Sequence, residues 1–538
     1  VYLWIGRLQR RGVAHPVQLY IGQDSKDSSV YLTGVYQSGL TMPDRDYYLK
    51  PDERSARARV EFEAYVQKLL ALAGDRDAAS GAKRIAALES RLANHHWSRV
   101  DNRDPVRTYN RVDLAAAAKL APGFDWQALL EGAGLDGRAT VLDINQPSYV
   151  RELARLIRMM PVADWRLYLK FRVLDAYAPY LAADFERAHF EFHERSISGV
   201  EQPKPRWQRA VQTMDGAVGE LVGKLYVEAT FPPESKARMV ALVENLRRAF
   251  AQSIDSLEWM SPATKEEARR KLAKITVKIG YPDRWRDYGP LTIRRDDLVG
   301  NVRRASEFEF DRQAAKLGGP LDRDEWLMTP QTVNAYYYPP MNEIVFPAAI
   351  LRPPFFDPAA DDAVNYGGIG AVIGHEISHA FDDQGRQFDG DGNLRDWWTF
   401  DDNVRFRARA GRLIAQFGAY SVLDAQKLNG ELTLGENIGD LSGLAVSFRA
   451  YQLALGGVEA PVIDGFTGPQ RFFLGWGQIW RRKYREDELR RRLVVDPHSP
   501  SEFRCNGIVT NLDEFHAAFG LQPGDVLYRP APDRVRIW

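Results

Sequence analysis

The chain is poor in cysteine, histidine, net charge and long apolar runs. Cys505 stands alone among 538 residues, so no disulfide forms within the chain. A chain this poor in Cys suits a cytosol and equally a bacterial periplasm. Lys+Arg and Asp+Glu both number 72. That balance offers neither nucleic acid nor an anionic membrane surface an electrostatic reason to bind. No apolar run reaches the roughly 18 residues that a membrane-spanning helix needs. No repeat of fixed period and no low-complexity tract appears. The chain opens on Val1 without Met or a positive-then-apolar leader, which reads as a processed or truncated form.

Apolar residues make up 45% and charged residues 27%, as in an ordinary globular protein long enough for two or more domains. Val17 to Ile21 and Val30 to Tyr36 read as a hairpin, with turn chemistry at Gly22-Gln23-Asp24-Ser25. Met42 to Tyr48 reads as a loop. From Arg54 to about Leu257 the pattern is mostly helical. Phe62, Tyr65, Val66, Leu69, Leu70 and Ala73 recur at helical spacing, as do Ile85, Leu88 and Leu92. Leu167 to Phe192 and Met239 to Leu257 read as long helices, and Gly199 to Pro205 as a break. After Lys274 the texture changes. Ile275 to Ile279, Val333 to Tyr338 and Ile344 to Phe346 read as short strands. Helices follow: one carrying His375, one around Val404 to Phe417 and one opening near Gly435. The boundary between the halves falls between Thr230 and Lys274. His95-His96 reads as structural, because adjacent residues on a helix face about 100° apart and rarely share an ion. Arg481-Arg482 and Arg490-Arg491-Arg492, beside Glu486, Asp487 and Glu488, read as a solvated helix face.

The chemistry concentrates in Val372 to Asp382, VIGHEISHAFD. Histidine is scarce, 9 residues in all, yet His375 and His379 stand four apart. On a helix both imidazoles share a face and reach one ion, while Glu376 points toward a water on that ion. The bland alternative is an amphipathic helix with a chance match. A catalytic zinc wants three protein ligands and an open position. Glu436, in Gly435-Glu436-Asn437-Ile438-Gly439-Asp440, is the best third candidate. Asp440 lies one turn on and suits a carboxylate that accepts the other N–H of a ligand His. Alone, ExxxD is also a common surface pattern. His498 lies between Pro497 and Pro500, which hold the stretch extended. It could donate to a developing oxyanion, with Asp496 orienting the ring. Taken alone, it reads more readily as an ordinary exposed loop histidine.

The stretches VNAYY (333–337), NEIVFPAAIL (342–351), VIGHEISHAFDDQGR (372–386), GENIGDLSGL (435–444) and HSPSEFR (498–504) resemble the neprilysin and endothelin-converting-enzyme family of zinc metallopeptidases. MPDRDYYL (42–49), RDPVRTYN (103–110) and FPPESKARM (231–239) fit the same family, so the likeness runs over nearly the whole chain. The resemblance implies one Zn2+ per chain on His375, His379 and Glu436, with Glu376 as general base and Asp440 behind a ligand His. It implies that Asn334 and Ala335 bind substrate backbone from an edge strand. It further implies that His498, held by Asp496, stabilises the oxyanion and that Arg504 bonds the substrate carbonyl beside the S1′ pocket. The family's pocket positions fall on Ile350, Phe355, Val372 and Trp480, all apolar, which implies a large hydrophobic P1′ residue. The bland reading of those four is plain core, and without the resemblance the sequence favours it.

Three departures stand out. Animal members are disulfide-rich, whereas this chain has one Cys, and Val535 stands where they carry a Cys near the final Trp. Both point to a bacterial member. The family's usual N-terminal portion, with arginines that bind a peptide's C-terminal carboxylate, is also missing from view. That omission leaves dipeptidase-like specificity and full activity open.

The expected fold is mainly α with small β-sheets (α+β). Residues 1–250 form a mostly helical domain covering the active site, with its N-terminal portion apparently missing. Residues 251–538 form a thermolysin-like zinc peptidase domain. The expected function is zinc-dependent endopeptidase cleavage of peptides on the amino side of large hydrophobic residues. The alternatives are a catalytically impaired peptide-binding module of the same fold and a structural zinc protein, for which no fourth Cys or His ligand is visible near the motifs. The chain is expected to act as a monomer on peptides, in the periplasm or outside the cell, with the cytoplasm as the alternative.

Overall fold

A computed structural model describes residues 1–423 and 426–538. Helices dominate, and the strands gather into small sheets. β1 (Val17–Asp24) and β2 (Asp27–Gln37) form the expected hairpin. Its turn lies at Ser25-Lys26 rather than at Gly22 to Ser25. Gly22 stays in the ladder opposite Leu32, and Asp24 Oδ1 accepts from Lys26 N at 2.9 Å to close a tighter turn. Two short strands, β3 (Arg111–Asp113) and β4 (Val141–Ile144), complete a four-stranded sheet ordered β1-β2-β4-β3 inside the stretch read as helical.

The stretch Leu167 to Phe192 is not one helix. The Val162–Tyr177 helix gives way to a 3₁₀ turn at Ala178–Tyr180, and a new helix runs from Ala183 to His189. Pro179 has no N–H for the helical ladder and clashes with the preceding turn. The Met42 to Tyr48 loop contains the start of a one-turn helix, Asp46–Leu49.

β5 (Thr276–Gly280), β6 (Tyr336–Tyr338) and β7 (Glu343–Pro347) form a second sheet ordered β5-β7-β6. β7 pairs in parallel with β5 and antiparallel with β6, which leaves β6 at an edge. The paired strand begins at Tyr336, so Asn334 and Ala335 lead into it rather than belonging to its ladder.

Apolar side chains divide into two cores. One gathers Tyr2 through Ile197 and the other Met239 through Trp538. Ala314, at the end of the Leu298–Ala314 helix, belongs to the first core, and Arg10 pairs with Asp311 on the same helix at 2.7 Å. The chain therefore returns to its first half before completing the second. The halves also touch at the hairpin tip, where Ser28 N donates to Asn393 Oδ1 at 2.8 Å. A further contact runs from Arg54 Nη2 to Asp487 O at 3.0 Å. The Glu486–Val495 helix is accordingly half-buried rather than a solvated face, while Arg481 and Arg482 are exposed as expected but precede the helix rather than lying on it. No helix of the described residues is long and apolar enough to cross a membrane.

One helix crossing positions the chemistry. The Ala371–His379 helix packs on the Leu434–Leu455 helix. A Cβ built on Gly374 would stand 2.5 Å from Gly443 O, and one on Gly439 would stand 2.7 Å from His375 Nδ1. Bare glycine backbone at both positions lets the helices approach closely enough for Glu436 to reach the histidines.

Candidate active site

His375 and His379 project from one face of their helix, with ring centroids 4.5 Å apart. Glu436 Oε2 meets them 3.2 Å from His375 Nε2 and 3.7 Å from His379 Nε2. Each imidazole turns its other nitrogen to a carboxylate. His375 Nδ1 lies 2.8 Å from Asp440 Oδ1, and His379 Nδ1 lies 2.7 Å from Asp382 Oδ2. With Nδ1 protonated toward those acids, both Nε2 atoms present lone pairs. Glu436 Oε2 is buried beside them and makes no well-formed hydrogen bond. Three electron-pair donors facing one point are mutually unfavourable without a cation, and two imidazoles with one carboxylate form a zinc donor set.

The electrostatics agree. Burial alone lowers the pKa of an imidazole, but at His379 it is outweighed by Glu436 and Asp382, which push the value up to about 10. Burial likewise works to raise Glu436, yet His498 and His379 hold its carboxyl well below the usual range. The site therefore attracts positive charge strongly, and the attraction that holds a proton there also holds a metal ion.

Glu376 is 5% exposed and makes no hydrogen bond to the protein among the described residues. Burial raises its pKa, partly opposed by His375 and His379. It is thus a carboxylate left free beside the two histidines. His498 Nε2 lies 3.0 Å from Glu436 Oε2, and its Nδ1 lies 2.7 Å from Asp496 Oδ1. The backbone N–H of His498 also donates to Asp496, so the carboxylate fixes both loop and ring. Burial opposes protonation of His498, but Glu436 and Asp496 prevail and push its pKa up to about 9.

Arg504 lies against Asp440, Nε and Nη2 each donating at 2.7 Å. Its Nη1 makes no hydrogen bond to the protein among the described residues. The guanidinium stacks 4.1 Å from the Trp480 ring. Val372, one turn before His375, is half-buried, as are Phe355 and Trp480, whereas Ile350 is fully buried. Asn334 is exposed and Ala335 buried at the approach to edge strand β6.

The sequence reading missed several supports. Asp382 holds the second histidine as Asp440 holds the first, and its position three residues after His379 was the available signal. Arg103, from the other half of the chain, pairs with the neighbouring Asp383 at 3.0 Å. Asn437 Oδ1 accepts from Ser499 Oγ at 2.8 Å and ties the His498 loop to the Glu436 helix. Lys271, buried under the loop after the Ala371–His379 helix, donates to Gly385 O at 2.6 Å and Phe388 O at 2.7 Å. No local pattern marked these last three.

Two family models described as peptidase family M13 match the chain, one over residues 3–282 and the other over residues 334–535. The chain belongs to peptidase family M13. It is 34% identical to human endothelin-converting enzyme 1 over 537 residues, which cover 97% of this chain and 69% of the human protein. The inhibitor complex of the Mycobacterium tuberculosis zinc metalloprotease Zmp1 superposes with a TM-score of 0.96 at 48% identity, covering 100% of this chain and 82% of that one. PepO from Lactobacillus rhamnosis superposes at 0.91 with 28% identity, over 100% of this chain and 84% of that one. This M13 chain is a zinc metalloendopeptidase of the neprilysin and endothelin-converting-enzyme group, with His375, His379 and Glu436 suited to the metal.

Proposed function

We propose that this M13 peptidase cleaves peptides on the amino side of large hydrophobic residues, with Glu376 as general base. The observation carrying the base assignment is the free, buried carboxylate of Glu376 beside two histidines whose Nδ1 atoms are already committed to Asp440 and Asp382. Zinc, when bound by His375, His379 and Glu436, supplies Lewis-acid activation of water and of the scissile carbonyl.

The remaining work falls to the chain's own side chains. Glu376 takes the proton of the attacking water and delivers it to the leaving amine. Burial raises its pKa toward the working pH, as that shuttle requires. His498, protonated and aligned by Asp496, donates from Nε2 to the oxygen that gains charge in the transition state. Arg504 offers Nη1 to a substrate carbonyl, while its other nitrogens are spent on Asp440. Asn334 and Ala335, leading into edge strand β6, bind substrate backbone as an added strand would. Phe355, Val372 and Trp480, with Ile350 behind them, supply the apolar surface for P1′. The helical half, joined to the catalytic half at the hairpin tip and at Asp487, restricts access to peptides.

A series of quenched peptides differing only at P1′ tests the specificity. Phe or Leu at P1′ should give kcat/KM at least tenfold above Asp or Gly. Equal rates across the series would remove the hydrophobic P1′ reading while leaving the peptidase assignment intact.

A further inference from the structure

A second cluster of metal-ligating side chains lies in the N-terminal core. His189 and His193 stand four residues apart where the Ala183–His189 helix runs on into a π-helical turn, Phe190–Ser196. Their ring centroids are 4.3 Å apart and their planes 34° from parallel. Asp175, near the end of the Val162–Tyr177 helix, faces them with Oδ1 2.8 Å from His193 Nε2. One ligand atom from each of the three lies within 4.8 Å of the others. Tyr65 OH donates to Asp175 Oδ1 at 2.7 Å, and Arg172 Nη1 lies 3.4 Å from Oδ2. Such partners hold a carboxylate in a fixed orientation, as neighbours of metal ligands do.

His189 makes no hydrogen bond or ion pair to the protein among the described residues. Burial, assisted by His193, lowers its pKa to about 4, so the ring is neutral and its lone pair available at neutral pH. The layout repeats that of the catalytic centre: two histidines four residues apart, a carboxylate from another helix, and a close Nε2-to-oxygen approach.

We infer that Asp175, His189 and His193 bind a second divalent ion of the zinc class. Two imidazoles and one carboxylate suit zinc and its first-row neighbours, whereas calcium and magnesium require oxygen ligands. A water completes the tetrahedron. Binding opens the hydrogen bond between His193 Nε2 and Asp175 Oδ1 and leaves the His193 proton on Nδ1. The side chain of His193 is 26% exposed, so an ion can enter from solvent. Arg172 repels a cation beside Asp175, which makes this site weaker than the catalytic one. An ion here clamps the Val162–Tyr177 helix to the segment that leads, through residues 199–205, into the long Arg206–Thr230 helix.

Equilibrium dialysis of the full chain against excess zinc, followed by metal analysis, tests the site. The wild type should hold two ions and His189→Ala one, with peptide hydrolysis unchanged. His189 is the chosen position because its loss breaks no hydrogen bond to the protein, and His193→Gln provides a second variant. Cobalt titration of Glu436→Ala, which lacks a catalytic ligand, should show the visible absorption of one tetrahedral N/O site. A wild type that stops at one ion, a His189→Ala variant that keeps two, or a Glu436→Ala protein with no tetrahedral cobalt signal would overturn the inference. Loss of the catalytic ion alone would leave the second count intact, so failure of the two sites is distinguishable.

Discussion

Asp440 holds Arg504 with both oxygens, each contact 2.7 Å long, and the oxygen facing Nη2 also lies 2.8 Å from His375 Nδ1. Arg504 thus supports the metal centre from behind, and in the proposed function it also offers its remaining nitrogen to the substrate. Asp440 is 1% exposed, and Arg504 keeps its carboxyl low against the opposing effect of burial. Arg504→Ala leaves that buried charge with His375 as its remaining partner. Zinc affinity should fall by about 10–100-fold, as when a ligand's supporting partner is lost. At saturating zinc, KM should rise with a smaller fall in kcat, because a contact to the substrate carbonyl is made in ground and transition states alike. Arg504→Lys keeps the charge but loses the fork and should recover only part of either effect. Zinc titrations and steady-state kinetics on both variants check this. Unchanged zinc affinity in Arg504→Ala would mean that Asp440 needs no counter-ion.

Glu376 is the test of chemistry separated from binding. The carboxylate touches neither ligand donor atom through a hydrogen bond, so Glu376→Gln should retain zinc and bind a substrate-like inhibitor normally. Its amide cannot accept the water proton, and kcat should fall by at least about 10²–10⁴-fold. Metal analysis, inhibitor titration and kcat on one preparation form the measurement. A variant keeping a tenth of the wild-type rate would assign the base elsewhere.

Lys271 gives the catalytic half a pH signature. Burial lowers its pKa to about 7, against an ordinary value of 10.5, with Asp382 and Asp389 opposing the shift. Between those values the unfolded chain binds more protons than the folded one, so this group makes stability rise with pH. Lys271→Met removes that contribution along with the hydrogen bonds to Gly385 O and Phe388 O. Wild type should therefore gain stability over Lys271→Met as pH climbs from about 7 to about 9, read as a widening gap in Tm at fixed zinc. A gap that stays constant over that range would show the lysine to be as basic folded as unfolded.

How much of this was legible in the sequence depended on range. His375, Glu376 and His379 announce themselves because helical geometry alone brings them together. Glu436 and Asp440 stood one turn apart, a weak pattern by itself, and it took the family resemblance to single them out; only the structure shows Gly439 and Gly443 making room for His375 and the backbone before it. Asp382 followed the same local logic as Asp440 and was overlooked beside the louder motif. Arg103, Asn437 and Lys271 carry no local signal, since each acts on a residue far along the chain. The strands β3 and β4 were hidden for a similar reason. They are three and four residues long, and pairing with β2 and with each other, rather than their own propensity, makes them strands. The break at Ala178–Tyr180 was readable from Pro179 and was missed because the apolar pattern continues across it.

His498 separates a transition-state role from a packing one. Its Nε2 lies 3.0 Å from Glu436 Oε2, Asp496 fixes the ring from the other side, and Arg492 Nη1 lies 2.5 Å from the second oxygen of Asp496. Its side chain is 40% exposed, so the ring faces open space as well as the metal ligands. An oxyanion exists only as the transition state forms, and a donor aimed at it should act on kcat more than on KM. His498→Ala should lose about 10²–10³-fold in kcat with KM little changed. Asp496→Asn, which keeps a hydrogen-bond acceptor at the ring but removes the charge, should fall between that variant and wild type. A purely structural histidine would instead loosen the 496–501 loop and, through Ser499 and Asn437, the Glu436 helix, lowering zinc affinity and KM-dependent binding together. Zinc occupancy is therefore measured first, and kinetics are compared only at full occupancy. If His498→Ala then alters KM alone, or leaves kcat within about threefold of wild type against the expected loss, the imidazole is not an oxyanion donor and belongs to the packing of its loop.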